Sequence, residues 1–279
     1  LYKILKKRKL NEQVVLIVID APFIAAKAEP GQFVIVRCDS KGERIPFTIS
    51  DYDREKGTVT VIYQIVGAST IRLNEFEEGD EILDVAGPLG VATEYKEGAK
   101  RVAVVGGGVG CAIAYPQAKK LHNMGVRVDM IAGFRNKELI ILEDEMRAAS
   151  EQLYICTDDG SFGFNGFVTD QLKALIEGGA EYDEVIAIGP VPMMKFVSAV
   201  TKPYGIKTLV SLNPIMVDGT GMCGCCRVKV GGKIRYACVE GPDFDGHEVD
   251  FDELMRRNST YREHEKDHVC RLTGGVRNG

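Results

Sequence analysis

The densest chemistry in this 279-residue sequence is a group of cysteines. Cys223, Cys225, Cys226 and Cys238 lie close together, while Cys38, Cys111, Cys156 and Cys270 are scattered. Nothing at the start of the chain reads as a secretion signal, so thiols grouped in this way point to a metal or a cluster and away from disulfides. The scattered four read most simply as small buried hydrophobes. A second group is made of glycine. Gly106-Gly107-Gly108-Val109-Gly110-Cys111-Ala112 follows the apolar run Arg101–Val105 and opens a helical stretch. Glycines let the backbone approach a pyrophosphate closely, and a helix N-terminus offers unpaired N–H groups. The bland alternative is a tight strand–helix turn. The spacing is not a strict G-x-G-x-x-G, and no acidic residue stands convincingly where a ribose-reading carboxylate belongs.

A third group is spread over two strands. In Arg44-Ile45-Pro46-Phe47-Thr48, Arg44 can pair with a phosphate and Thr48 can hydrogen-bond a flavin ring. Further on, Gly67-Ala68-Ser69-Thr70 can present N–H groups to a pyrophosphate, or Ser69 and Thr70 can simply cap a helix. Acid–base machinery is missing: there is no catalytic triad and no pair of carboxylates. His122, His247, His264 and His268 have no ligand spacing among themselves, and Asp158-Asp159 reads as a turn.

The elements that must position these groups change along the chain. Up to about residue 97 the pattern is strand-like: Val14–Ile19, Gln32–Arg37, Thr58–Tyr63 and Glu81–Val85, separated by Gly, Pro and Asp turns, with one helical candidate at Ala68–Phe76. This predicts a small antiparallel barrel. From residue 98 to 212, strands (Arg101–Val105, Arg127–Ala132, Leu153–Thr157, Glu184–Ile188) alternate with helices (Lys137–Ser150, Phe167–Glu177, Pro192–Lys202). That alternation predicts a doubly wound parallel sheet. From 213 to 279 the chain is first rich in Gly and Cys, with a hairpin turning at Gly231-Gly232, and then charged, with an exposed helix expected over Asp252–Asp267. The expected domains are therefore 1–97, 98–212 and 213–279.

Composition narrows the function. The chain is 45% hydrophobic and 27% charged, enough for sizeable cores. Its net charge of −5 gives no electrostatic footprint for nucleic acid. No run approaches the roughly 18 apolar residues of a membrane helix. The basic start (Lys3, Lys6, Lys7, Arg8, Lys9) has no apolar segment behind it. A cytoplasmic protein that binds neither nucleic acid nor membrane is expected.

The order of the motifs carries a resemblance. R-x-P-[hydrophobic]-[S/T] at Arg44–Thr48, then V-G-x-S-T at Val66–Thr70, G-P-L-G at Gly87–Gly90 and the glycine loop resemble the ferredoxin-NADP reductase superfamily. Thr157–Gly160, Gly166–Asp170 and Gly189-Pro190-Val191-Pro192-Met193-Met194 bring it closer to the branch that contains the electron-transfer subunit of dihydroorotate dehydrogenase B. The resemblance covers nearly the whole chain. It implies a Greek-key FAD barrel, a nucleotide domain and a small [2Fe–2S] module. It places FAD on Arg44, Pro46, Phe47, Thr48, Ile62, Tyr63, Val66, Gly67, Ser69, Thr70, Gly87 and Pro88. It places a nicotinamide dinucleotide, NAD(H), on Gly107, Gly108, Gly110, Asp159, Gly189, Pro190 and Met193, with Gly189-Pro190 near the nicotinamide.

That branch holds its [2Fe–2S] cluster with M-x-C-G-x-G-x-C-x-x-C and a later cysteine. Here the first ligand position is Asp218. Asp218, Cys223, Cys226 and Cys238 reproduce the plant-type C-x4-C-x2-C spacing with one oxygen in place of sulfur. Three readings stay open: Asp218 ligates iron; Cys225 completes a four-cysteine set; or the cysteines hold structural zinc, whose ribbons prefer two separated ligand pairs. The aspartate, with the tail Gly241–Phe251, resembles the small subunits of NADH-dependent reduced ferredoxin:NADP oxidoreductases, also described as sulfide dehydrogenase β subunits. This implies a larger glutamate-synthase-like flavoprotein partner in a heterodimer, with ferredoxin and NADP(H) reached indirectly through it. The alternative is the electron-transfer subunit of dihydroorotate dehydrogenase B or of a sulfhydrogenase. Arg135 and Lys137 are placed to meet a 2′-phosphate or to face solvent. Family resemblance favours NAD(H).

Overall fold

Residues 1–272 are described by the computed structural model, so residues 273–279 of the expected third domain lie outside the described residues. The first third of the chain follows strand period. It forms β1 (Tyr2–Lys9), β2 (Val14–Asp20), β3 (Phe33–Arg37), β4 (Ile45–Asp53), β5 (Thr58–Gln64), β6 (Glu81–Ile82) and β7 (Asp84–Leu89), with short helices α1 (Pro22–Ala25) and α2 (Ala68–Leu73). All pairings are antiparallel, in the order β6-β1-β2-β5-β4-β3-β7. The outermost strands β6 and β7 are separated in the chain by Leu83 alone. One residue spans only a few ångströms, so the two edges must meet and the sheet closes on itself as a barrel. Its interior is apolar, with Ile4, Ile17, Ile19, Ile49, Val61 and Tyr63 buried. The basic start conceals β1: Lys3, Lys6, Arg8 and Lys9 are exposed while Ile4 is fully buried. Lys7 Nζ donates to the carbonyls of Asn74 and Phe76, at 2.7 and 2.9 Å, just beyond the end of α2.

The second third forms β8 (Arg101–Gly107), β9 (Arg127–Phe134), β10 (Gln152–Thr157), β11 (Phe164–Asn165), β12 (Glu184–Ile188) and β13 (Lys207–Ser211), with helices α3 (Cys111–Asn123), α4 (Glu143–Ala148), α5 (Val168–Glu177) and α6 (Val191–Thr201). These strands are parallel, in the order β11-β10-β9-β8-β12-β13. The chain winds outward from β8 in one direction and then returns to β12 on its other side. The gap beyond the C-terminal ends of β8 and β12 is therefore the switch point where such sheets take ligands. The helix expected over Lys137–Ser150 is shorter than its spacing suggests. Ile141 and Leu142 are pulled into the core, Leu142 adopts φ +54°, and only α4 remains α-helical.

The last part forms the hairpin β14 (Arg227–Val230) and β15 (Lys233–Tyr236), then α7 (Ala237–Glu240), β16 (Asp243–Asp245), α8 (Phe251–Asn258) and α9 (Arg262–Leu272). Gly231 and Gly232, at φ +57° and +74°, make the tight hairpin turn that favours glycine. The single exposed helix expected over Asp252–Asp267 is two helices. In α8, Phe251 and Leu254 are buried, and Asp250 caps it by accepting from the Glu253 N–H at 3.0 Å. Strand β16 returns to pair antiparallel with β13. One apolar core runs from Phe33 and Ile35 of the barrel, along one face of the parallel sheet, to Met216, Cys226, Val228 and Cys238. The segment bearing the cysteines is thus packed on both preceding units.

Candidate functional site

The C-terminal ends of β8 and β12 open into a cavity of about 920 Å³, walled on the other side by the barrel. Its floor is backbone. At Gly110 a Cβ atom would stand 2.5 Å from the Ile188 carbonyl oxygen and 2.7 Å from Gly189 Cα, so only glycine lets the turn after β8 approach the end of β12. At Gly107 a Cβ would meet Met193 Sδ at 2.5 Å and Pro190 Cδ at 3.1 Å. Pro46, Thr48 and Gln64 of the barrel face the same space, as do Phe33, Asn11 and Gln13. Phe167 and Phe196, both largely exposed, also line it. Arg135 and Asp158 are the charged side chains among the described residues of the lining. A volume of this size, mostly apolar with a few polar groups, suits flat aromatic ligands.

Strand parity divides the expected barrel residues. Pro46 and Thr48 line the cavity. Phe47 and Tyr63 point into the barrel interior, with ring centroids 5.5 Å apart, so only their backbone can reach a ligand. Ile62 is buried against the nucleotide-domain core. Val66 is exposed, and Gly67 caps α2, where the Thr70 hydroxyl accepts from the N–H groups of Val66 and Gly67 at 3.0 Å each. Ser69 belongs to a smaller recess of about 200 Å³ with Lys41, Glu43, Arg72 and His268, and donates to Glu43 at 2.5 Å. Gly87 packs against β3, where a Cβ would stand 2.8 Å from Val34. Pro88 follows it in β7. Gly107, Gly108, Gly110, Gly189, Pro190 and Met193 all line the large cavity; Asp159 does not, and its carboxylate instead accepts from Ser161. Arg44 turns away from the cavity toward the cysteine loop.

That loop runs from Leu212 to Cys226, and Leu212, Asn213, Pro214 and Met216 are still cavity wall. Gly219, Gly221 and Gly224 have φ of +83°, +86° and +67°, a conformation that side chains resist. The Asp218 carboxylate organises the turn, since its Oδ2 accepts from the Thr220 hydroxyl and from the Thr220 N–H at 3.0 Å. These bonds, the hydroxyl first, hold its pKa below the ordinary value. Cys226 and Cys238 are buried, unbridged and 3.1 Å apart, sulfur to sulfur. Burial, with Cys226 alongside, pushes the Cys238 thiol up to about 12. Cys223 is exposed, and the Cys225 N–H and the Asp218 N–H lower its pKa. Among the described residues no three His, Cys, Asp or Glu side chains converge as the ligands of a single metal ion would. The donor set suits an iron–sulfur cluster: soft thiols over glycine-rich backbone.

Behind the cavity, Asp243 on β16 joins all three parts of the chain. It accepts from the Thr93 hydroxyl at 2.5 Å; Thr93 accepts from Gln117 on α3 at 2.7 Å; and the Thr93 N–H donates to Pro30 in the barrel at 2.9 Å. Asp243 Oδ1 is sealed from solvent, and desolvation, opposed by the Ser211 and Thr93 hydroxyls, raises the pKa of the group. Asp243, Asn11, Gln13, Gln64 and Met216 are not among the expected site residues. They lie in four different stretches of the chain, and only folding brings them together around the cavity.

Barrel, switch-point sheet and cysteine loop together define a flavin- and nicotinamide-type reductase carrying an iron–sulfur module. Comparison with known proteins agrees. Residues 213–250 match the iron–sulfur cluster binding domain of dihydroorotate dehydrogenase B. A homolog of the electron-transfer subunit of NAD(+)-type dihydroorotate dehydrogenase B from Thermotoga maritima is 47% identical, over 95% of this chain and 93% of its own length. The corresponding subunit from Fusobacterium nucleatum is 36% identical over 82% of this chain and 90% of its own length. A chain from a solved NADH-dependent reduced ferredoxin-NADP oxidoreductase, described for flavin-based electron bifurcation, superposes with a TM-score of 0.92 at 45% identity, covering 98% of each chain. The chain belongs to the family of dihydroorotate dehydrogenase B electron-transfer subunits and their homologues. It is an oxidoreductase subunit for electron transfer, with FAD and a [2Fe–2S] cluster as its cofactors. Among the described residues no helix is long and apolar enough to cross a membrane.

Proposed function

We propose that this chain is the NAD(H)-reacting subunit of a bifurcating NADH-dependent reduced ferredoxin:NADP oxidoreductase, and that it works beside a larger glutamate-synthase-like flavoprotein. The observation that carries the reading is the likeness to one such chain across 98% of both lengths at 45% identity, together with aspartate at the first cluster position. The domain division 1–97, 98–212 and 213–279 and the assignment of the cavity-lining residues to flavin and nicotinamide form part of the same proposal.

Flavin, when bound, exchanges hydride with nicotinamide and single electrons with iron, which makes it the necessary intermediary between the two. The residues of this chain bind, orient and exclude water. Thr48 and Gln64 offer hydrogen bonds from the barrel wall of the cavity. Gly107, Gly110 and Gly189 let a nicotinamide lie against backbone, with Pro190 and Met193 closing one side. No acid–base residue is required of the lining for this exchange. Asp218, Cys223, Cys226 and Cys238 would hold the cluster, directly continuous with the cavity wall at Met216.

The test is an EPR spectrum of anaerobically purified, dithionite-reduced protein together with its diaphorase turnover. The expected result is a rhombic S = 1/2 signal near one spin per chain and faster turnover with NADH than with NADPH. Zinc in place of iron would overturn the cluster assignment, and a preference for NADPH of about tenfold or more (about 1.4 kcal/mol) would overturn the choice of nucleotide.

A further inference from the structure

Arg44 stands immediately before β4, two residues from Pro46 and four from Thr48, which both line the large cavity. Its guanidinium nevertheless points elsewhere. Nε donates to the Val217 carbonyl at 3.1 Å and Nη2 to the Asp218 carbonyl at 3.1 Å. Nη1 lies 4.0 Å from the Asp84 carboxylate at the start of β7. One planar fork therefore grips two consecutive carbonyls of the cysteine loop, the second of them belonging to the candidate ligand itself. The next residue strengthens the placement. At Gly219, φ is +83° and a Cβ would come within 3.0 Å of both Ile35 and Leu89, so the backbone of Gly219 lies directly against β3 and β7. Met216, one residue before this segment, is part of the cavity wall. The short stretch between that wall and Cys223 is thus fastened to the barrel by Arg44 on one side and by a close backbone approach on the other.

We propose that Arg44 is a positioning residue for the cluster: it clamps the Val217–Asp218 backbone to the flavin barrel and so fixes how the cluster sits relative to the cavity. This role is separate from pairing with a phosphate, and the two make opposite demands on a lysine. A lysine can serve a phosphate as a point charge. It cannot reproduce a planar fork that holds two carbonyls at once.

The proposal rests on the cluster reading of residues 218–238, and its test separates the two. Full-length wild type, R44K and R44A are purified anaerobically and assayed for iron, for FAD retained, for the EPR spectrum of the reduced cluster, and for the rate at which a chelator removes iron. Both variants should lose iron to the chelator at least about tenfold faster than wild type and show shifted EPR g-values, while R44K retains FAD better than R44A. G219A, which leaves Arg44 intact and pushes the same segment off Ile35 and Leu89, should reproduce the faster iron loss. It also keeps the test open if R44A fails to fold. An iron-free wild type would sink the cluster reading and the proposal with it. An iron-loaded wild type, with R44K and G219A matching its release rate within about twofold and its spectrum, would overturn the role of Arg44 alone.

Discussion

The large cavity and the cysteine loop adjoin at Met216, yet they are held in shape by different means. The cavity floor is formed where β8 and β12 end, and its shape is set by backbone packed on backbone, with Gly110 against Ile188 and Gly189. The strands behind it are buried from Val102 to Gly107 and from Glu184 to Ile188. The cysteine loop has no regular structure from Asn213 to Cys226, bends through three glycines of positive φ, and exposes Met222 and Cys223 to solvent. Its order comes from a few specific groups: the Asp218 carboxylate, the Arg44 fork and the buried Cys226–Cys238 pair. Close-packed regular structure preorganises a ligand site. A loop of this kind gains much of its stability from whatever binds to it. Damage to the two regions should therefore differ in kind.

The largest effect is expected in the loop. Cys226→Ala removes a buried sulfur beside Cys238, and iron content and the EPR signal should fall close to zero while FAD is retained. Cys225→Ala should leave most of the iron in place. The reverse ranking would show that Cys225 belongs to the ligand set. In the cavity, Gly110→Ala sets a methyl group against immovable backbone. It should destabilise the fold by about 1–3 kcal/mol and weaken NADH binding, as read by urea midpoint and titration. Gly107→Ala presses mainly on the flexible Met193 side chain and should cost less in stability than Gly110→Ala. Equal losses would mean that the floor is not backbone-limited.

Asp243 links the regions and tests them through pH. Desolvation raises its folded pKa, so its stabilising contribution is complete below the unfolded carboxylate value of about 3.9 and is lost as pH rises through the folded value. Asp243→Asn keeps the shape and cannot ionise. Its stability relative to wild type should improve as pH is raised from about 4 until the folded carboxyl ionises, and level off above that. Parallel urea midpoints for the two proteins across that range would contradict the assignment. The mildest change is Asp218→Cys, which should keep a cluster and shift only its spectrum. An unchanged spectrum in Asp218→Ala, with the cluster lost in Cys225→Ala, would reverse the proposed ligands.

Much of the architecture was legible in the sequence. The period-two runs announced the barrel, the alternation of buried strands with helices announced the parallel sheet, and Gly231-Gly232 announced the hairpin. These signals are local, because alternation and turn chemistry depend on neighbouring residues. Helix extents were less legible. Lys137–Ser150 has helical spacing, but burying Ile141 and Leu142 outweighed it. Strand β1 was obscured because one fully buried residue among lysines gives little alternation.

The sequence by itself determined which chemistry is available: thiols in a tight group, glycines at a strand end, an aspartate at a cysteine position, and no acid–base set. Tertiary structure alone decided which way each group faces and what it meets. It turned Phe47 and Tyr63 into the barrel while leaving Thr48 at the cavity, brought Asp243 from the far end of the chain to Thr93, and sent Arg44 to the carbonyls of Val217 and Asp218. The physical reason is that residue type and spacing are local properties. A hydrogen bond across 174 positions, as between Arg44 and Asp218, exists only once the barrel and the loop have packed on a shared core.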